Sequence, residues 1–132
     1  MPAKDIYHDT VKHALQKDGW TITHDPFPLQ IGKKRLSADL GAERLISAER
    51  GLQRIVVEVK RFVGQSDVRD LEQALGQYVL YRQILDEMGI ERNLYLAVSQ
   101  AAFNSVFTIE LGQVLLKNRV VKLADCKPGR EQ

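Results

Sequence analysis

Cysteine is nearly missing from this chain. Cys126 alone among 132 residues excludes an intramolecular disulfide, and with no partner set around it the thiol reads as a passive side chain in a reducing compartment. Long apolar runs are absent as well. No stretch has the length that a membrane span requires, and the opening Met1-Pro2-Ala3-Lys4-Asp5 lacks the apolar centre of a signal peptide. The expectation is therefore a cytoplasmic protein without a membrane partner. Net charge is small too: 19 Lys and Arg against 17 Asp and Glu leave +2, which permits a nucleic-acid partner without arguing for one. Any such argument must rest on local groups. What is present is an ordinary globular composition, 44% hydrophobic and 27% charged, in a length suited to one domain spanning residues 1–132 with a single core.

The most informative stretch is Arg54-Ile55-Val56-Val57-Glu58-Val59-Lys60. Its β-branched run does not alternate with polar residues, as in a strand buried on both faces. Glu58 and Lys60 interrupt it, and a period of two puts both on one face, about 7 Å apart along the strand. Burying an uncompensated charge costs several kcal/mol, so the two either neutralise each other or bind something.

The chain begins with a predicted helix over Asp5 to Lys17, with Tyr7, Val11, Ala14 and Leu15 as its apolar stripe and Gly19 as its stop. Its other faces carry His8, Asp9, Lys12 and His13. These read mainly as a solvated surface, with His8 beside the stripe the one to watch for a site. Trp20-Thr21-Ile22-Thr23 alternates as a short strand, and His24-Asp25-Pro26-Phe27-Pro28 reads as a rigid turn. A His-Asp pair suggests a base with its orienter, but an Asx-type turn before proline is the preferred reading. Gln30 to Arg35 reads as a basic loop able to meet a phosphate backbone. Leu36 to Ile46 reads as one long strand, with Gly41 marking a bulge or a close approach and Asp39 and Glu43 sharing parity. A hairpin turn over Glu49 to Leu52 then returns the chain antiparallel to the Ile55 to Lys60 strand. With the turn centred near Gly51, Asp39 meets Glu58 and Lys60 only if a bulge or bend shifts the register.

A second helix starts with Ser66 or Asp67 as N-cap and runs to about Met88 before Gly89, its broad face carrying Val68, Leu71, Leu75, Tyr78, Val79, Arg82 and Leu85. Tyr78 reads as core. Gln77 and Tyr81, four residues apart, can present polar heads toward the face that carries Glu58. Asn93 to Val98 is a further strand. Ala101 to Leu116 is helical in tendency with breaks at Thr108 and Gly112, Val120 to Leu123 is a last short strand, and residues 127–132 read as a frayed tail. The predicted class is α/β (α+β) in the order α-β-β-β-α-β-α-β, a mixed sheet flanked by helices.

Asp39 and Glu58 offer the hard oxygen ligands that Mg²⁺ or Mn²⁺ takes, with the Val59 carbonyl as a third. Such an ion polarises a phosphodiester and lowers the pKa of its water, while Lys60 orients that water or offsets charge developing on the phosphate oxygens. Metal-assisted phosphodiester hydrolysis uses all of these groups. A salt-bridged Glu58–Lys60 pair at a sheet edge is the plain alternative, since an isolated Glu-x-Lys is common.

The larger pattern carries more weight. Asp39 upstream, Glu58-Val59-Lys60, and a following helix with Gln77-x-x-x-Tyr81 together resemble the PD-(D/E)XK nuclease superfamily in its RecB-like branch. A nearer resemblance, covering nearly the whole chain, is to the XisH family of fdxN element excision controlling factors. It is carried by Lys17-Asp18-Gly19-Trp20, Thr23-His24-Asp25-Pro26, Asp39-Leu40-Gly41-Ala42-Glu43, Val57-Glu58-Val59-Lys60 and Ala74-Leu75-Gly76-Gln77-Tyr78. The resemblance implies a restriction-endonuclease-like fold, a part in programmed DNA excision, Asp39 and Glu58 as metal ligands, Lys60 as the catalytic lysine, and Gln77 and Tyr81 as supporting site residues. It also implies DNA, an XisI-like partner protein and a recombinase as partners, and admits a homodimer. Ala38 departs from the motif's proline, and the first-helix site residue of relatives falls to Asp5, Asp9 or His8. Two functions follow: a magnesium-dependent endonuclease within an excision system, or a non-catalytic accessory that binds DNA or a partner protein and directs a site-specific recombinase.

Overall fold

A computed structural model describes residues 6–62 and 64–124. The expectations placed on Asp5, Cys126 and the terminal 127–132 lie outside them. The described elements are α1 (Ile6–Lys17), β1 (Thr21–His24), β2 (Phe27–Ile31), β3 (Lys34–Ala38), β4 (Leu40–Ser47), β5 (Gly51–Lys60), α2 (Asp67–Glu87), β6 (Asn93–Val98), α3 (Gln100–Ala102), a π-helical turn (Phe103–Phe107) and α4 (Glu110–Lys117). A mixed four-stranded sheet runs in the order β1-β4-β5-β6, and β2 and β3 form a separate antiparallel pair. β1, β4 and β5 are antiparallel neighbours, while β6 lies parallel to β5 after the α2 crossover. The chain is a mixed α+β protein.

Strand β5 is central because it is buried on both faces, as its unbroken Ile55-Val56-Val57 run requires. Ile55 and Val57 face Val11, Leu15 and Trp20 on the α1 side. Val56 faces the opposite core, built from Leu71, Tyr78, Tyr81 and Leu85 of α2 together with Phe27 and Leu29 of β2. By strand parity Glu58 and Lys60 leave on the Val56 side.

Several expectations need correction. Trp20 precedes β1, which includes His24. The turn closes on a cis Asp25–Pro26 bond, and Phe27 and Pro28 belong to β2. The basic segment Gln30 to Arg35 is largely strand, closing the β2–β3 hairpin, because Phe27, Leu29 and Ala38 have a core face to fill. The long strand is broken at Asp39, so five strands precede α2 where three were expected. In α2, Ser66 caps the helix by accepting from the Arg69 amide, but Val68 and Val79 are exposed. The buried face rotates to Leu71, Ala74, Tyr78, Tyr81, Ile84 and Leu85. Val120 to Leu123 yields one parallel bridge, Leu96 to Leu123, in place of a strand. Tyr78 is core as expected: its hydroxyl donates to the Leu94 carbonyl at 2.8 Å and accepts from the Lys122 amide at 3.1 Å.

Two close approaches fix glycines. A Cβ at Gly41 would sit 2.6 Å from the Phe27 ring, so the expected close approach is real. Gly112 does not break its helix; the break falls at Thr108 and Ile109, and Gly112 sits inside α4 against the Val106 carbonyl and the Phe107 Cα. Alanine there gains helix propensity but must displace backbone. Gly112→Ala is therefore expected to destabilise by about 1–3 kcal/mol. Urea unfolding measures it, and equal or greater stability would show that the turn relaxes freely.

Candidate functional site

The β4–β5 ladder pairs Leu40 with Val57, Gly41 with Val56 and Ala42 with Ile55, and shifts by one between Leu45 and Ser47. Ser47 pairs with Gly51, so the turn is centred on residue 49 and not on the expected Gly51, which instead opens β5. That position of the turn, with the one-residue shift that follows it, makes the next rung beyond Leu40–Val57 set Asp39 against Glu58. At this rung side chains take over from the ladder. The Asp39 amide donates to Glu58 Oε1 at 3.2 Å, and the Val59 amide donates to Asp39 Oδ2 at 2.7 Å. The strand break at Asp39 thus turns two neighbouring residues into a reciprocal carboxylate clamp.

Glu58 is 4% exposed, whereas the Asp39 side chain is 35% exposed. Burial pushes the Glu58 carboxyl up to about 8, with the adjacent Asp39 charge and a hydrogen bond shared with Asp39 adding to the rise and the Lys60 ammonium opposing it. Glu58 therefore keeps its proton near neutral pH beside the Asp39 carboxyl, with the Lys60 ammonium acting against that. Across from them on α2, Gln77 donates to the Tyr81 hydroxyl oxygen at 2.9 Å. Burial raises the Tyr81 pKa, the Gln77 hydrogen bond opposes the rise, and the Glu58 and Asp39 charges add to it, so the phenol remains a proton donor beside the acidic pair. Asp39 and Glu58 are joined at one rung, Lys60 shares the Glu58 strand face, and Tyr81, bonded to Gln77, lies where both carboxyl charges act on its hydroxyl. Val59 contributes its amide, and Glu43 turns away to meet Arg54 at 3.3 Å.

The first helix adds a part of which sequence reasoning caught only one member. His8 Nε2 lies 2.9 Å from Asp25 Oδ1, Lys12 Nζ donates to Asp25 Oδ2 at 2.8 Å, and His8 Nδ1 stands 3.9 Å from Asp39 Oδ1. The His24–Asp25 pairing is not formed. His24 Nδ1 contacts Thr23 Oγ1 at 2.9 Å and its ring packs edge-on against Phe27. Asp25 instead takes residues 17 and 13 positions upstream. The available signal was the spacing of His8 and Lys12, four apart on one helix face, opposite an acid in a turn.

Among the described residues, no group of three or more His, Cys, Asp and Glu is gathered tightly enough to hold a metal ion. Two carboxylates are nevertheless the protein contribution that magnesium commonly takes, since it keeps most of its waters. Two carboxyl groups set against each other at one rung are also a site where a cation would relieve repulsion.

These features define a small α+β protein that sets two carboxylates, a lysine and a Gln–Tyr pair around the end of its central strand. The XisH family model, described as XisH protein, matches residues 1–132, and the chain belongs to that family. It is similar to the crystal structure of an XisH family protein from Nostoc punctiforme PCC 73102, with 37% identity, a TM-score of 0.78, and 90% of this chain and 88% of that chain covered. It is likewise similar to a fdxN element excision controlling factor protein from Anabaena variabilis, with 36% identity, a TM-score of 0.76, and 93% and 92% of the two chains covered. No curated protein matches the chain. Among the described residues, no helix is long and apolar enough to cross a membrane.

Proposed function

We propose that the protein is a DNA element excision controlling factor whose Asp39, Glu58 and Lys60 form a PD-(D/E)XK site on a restriction-endonuclease-like fold, hydrolysing phosphodiester bonds in DNA with Mg²⁺ or Mn²⁺. The observation that carries this reading is the clamp in which Asp39 and a 4% exposed Glu58 meet, with Lys60 on the same strand face as Glu58. A structural salt bridge gives no reason to force two acids together next to a lysine. A divalent cation on Asp39, Glu58 and the Val59 carbonyl would polarise the scissile phosphate and make hydroxide available near neutral pH. Lys60 would offset the charge that develops on the phosphate oxygens. Tyr81, held by Gln77, would donate toward the same charge. DNA is the substrate, an XisI-like protein and a recombinase are the partners in excision, the cell interior is the setting, and a homodimer would serve to cut two strands.

Calorimetric titration of Mg²⁺ and Mn²⁺ tests the site directly. The wild type is expected to bind and Asp39→Asn to lose binding by 10-fold or more, about the effect of removing one charged ligand. Equal heats in the two proteins would refute metal binding at the clamp.

The second reading is a non-catalytic accessory that directs a site-specific recombinase. It is favoured by the low net charge of +2, which leaves little general attraction for a DNA backbone. On that reading excision in cells survives Glu58→Ala and Lys60→Ala; on the first it fails.

A further inference from the structure

The mechanism above makes no use of the contact between α1 and the β1–β2 turn, although that contact ends at the site. Asp25 is largely buried, its side chain 15% exposed, with one oxygen 2.9 Å from His8 Nε2 and the other accepting from Lys12 Nζ at 2.8 Å. Burial alone would raise its pKa, but the Lys12 and His8 hydrogen bonds outweigh this and hold it below the ordinary carboxylate value. Asp25 is therefore an acceptor only, and the His8 nitrogen facing it must carry a hydrogen. In a neutral imidazole the other nitrogen, Nδ1, then bears a lone pair. That nitrogen is the one turned toward Asp39, 3.9 Å from Oδ1. The gap is too wide for a direct hydrogen bond, and with a neutral imidazole it sets a lone pair facing a carboxyl oxygen, an arrangement that a bridging donor would satisfy.

We propose that Asp25 is a positioning residue that locks His8 in the Nε2–H tautomer, so that His8 Nδ1 accepts a hydrogen bond from water held at the Asp39–Glu58 carboxylates. Lys12 supports the lock by occupying the second Asp25 oxygen. A ligand-side imidazole whose far nitrogen donates to a carboxylate is a general way of fixing which lone pair faces a polar centre. The assignment of the water rests on the function proposed above; the tautomer does not.

Long-range proton–nitrogen NMR at a pH where imidazole is neutral reads the tautomer, with His8 assigned by a His8→Gln variant. Wild-type His8 is expected to show a protonated Nε2 and the high-frequency resonance of a bare Nδ1. Asp25→Asn, whose amide can donate, is expected to shift the population toward the Nδ1–H form, and Asp25→Glu to restore the wild-type pattern. A wild-type His8 protonated on Nδ1 overturns the proposal without any variant needing to fold, as does an unchanged tautomer in folded Asp25→Asn. Mg²⁺ is then added. Movement of the wild-type Nδ1 resonance with the calorimetric midpoint supports the water contact, whereas binding that leaves His8 unmoved overturns it. If Mg²⁺ fails to bind while the tautomer is as stated, the hydrolase reading and the water contact fall and the lock on His8 stands.

Discussion

Lys60→Ala is expected to lower metal-dependent cleavage of DNA by about 10²–10³-fold while leaving metal affinity within a few-fold of wild type. The magnitude is that of removing one fixed positive group from a site where phosphate charge develops. The separation arises because Lys60 is not a ligand. It shares a strand face with Glu58 and acts on it through space, opposing the forces that hold a proton there. Loss of that ammonium removes stabilisation needed only when the phosphorus oxygens gain charge. Single-turnover cleavage at saturating Mn²⁺, paired with calorimetry on the same protein, measures both quantities. A variant that cuts as fast as the wild type, or wild-type protein with no metal-dependent cleavage of single- or double-stranded DNA, would leave the accessory reading standing.

The second large effect is on stability and its dependence on pH. Glu58 is raised to about 8 in the folded protein, first by burial and then by Asp39. An unfolded glutamate titrates near 4.3, so the folded state binds the proton more tightly. Below the unfolded value both states are protonated and nothing is lost. As pH climbs from about 4.3 toward 8, the unfolded chain ionises freely while the folded one must keep its proton or bury a charge, and stability declines until the folded group also ionises. Glu58→Gln should abolish this decline, since an amide can accept the Asp39 N–H and donate to the Asp39 carboxylate in the manner of the protonated acid. At pH 8.5 the variant is expected to exceed the wild type by on the order of 5 kcal/mol, with little difference at pH 4.5. Urea unfolding at the two pH values measures it. A gap of the same size at both would mean that the glutamate is ionised throughout. By the same linkage, divalent metal binding near pH 7 should release a proton from the wild type, seen as a dependence of the binding heat on the ionisation enthalpy of the buffer.

How much of this was readable beforehand divides along physical lines. The β5 strand, the α2 helix with its Ser66 cap, and the hairpin joining β4 to β5 were legible because each depends on neighbours in sequence: a β-branched run, a capping hydroxyl, and a glycine at a turn. Asp39, Glu58, Lys60, Gln77 and Tyr81 can be singled out from their order along the chain and their family pattern, whereas the rung that sets Asp39 against Glu58 cannot. The β2–β3 pair was not legible, since Gln30 to Arg35 is polar enough to be a loop and becomes strand only because Phe27, Leu29 and Ala38 have a core to enter. The buried face of α2 is narrower than its apolar residues suggest for a similar reason: Val68 and Val79 are apolar but stay exposed, outside the two cores. The partner of Asp25 was hidden because contacts across 13 and 17 residues depend on how α1 lies against the β1–β2 turn.

The sequence by itself determined which groups were available, two acids, a lysine and a Gln–Tyr pair, and which strand and helix would carry them, because side-chain period and local propensity act over a few residues. Only the tertiary structure decided that Asp39 sits opposite Glu58, that Glu58 holds its proton near neutral pH, and that His8 and not His24 meets Asp25. Register, burial and long-range pairing are properties of the packed chain: a one-residue slip in the hairpin would have sent Glu58 past Asp39 with the same residues in the same order.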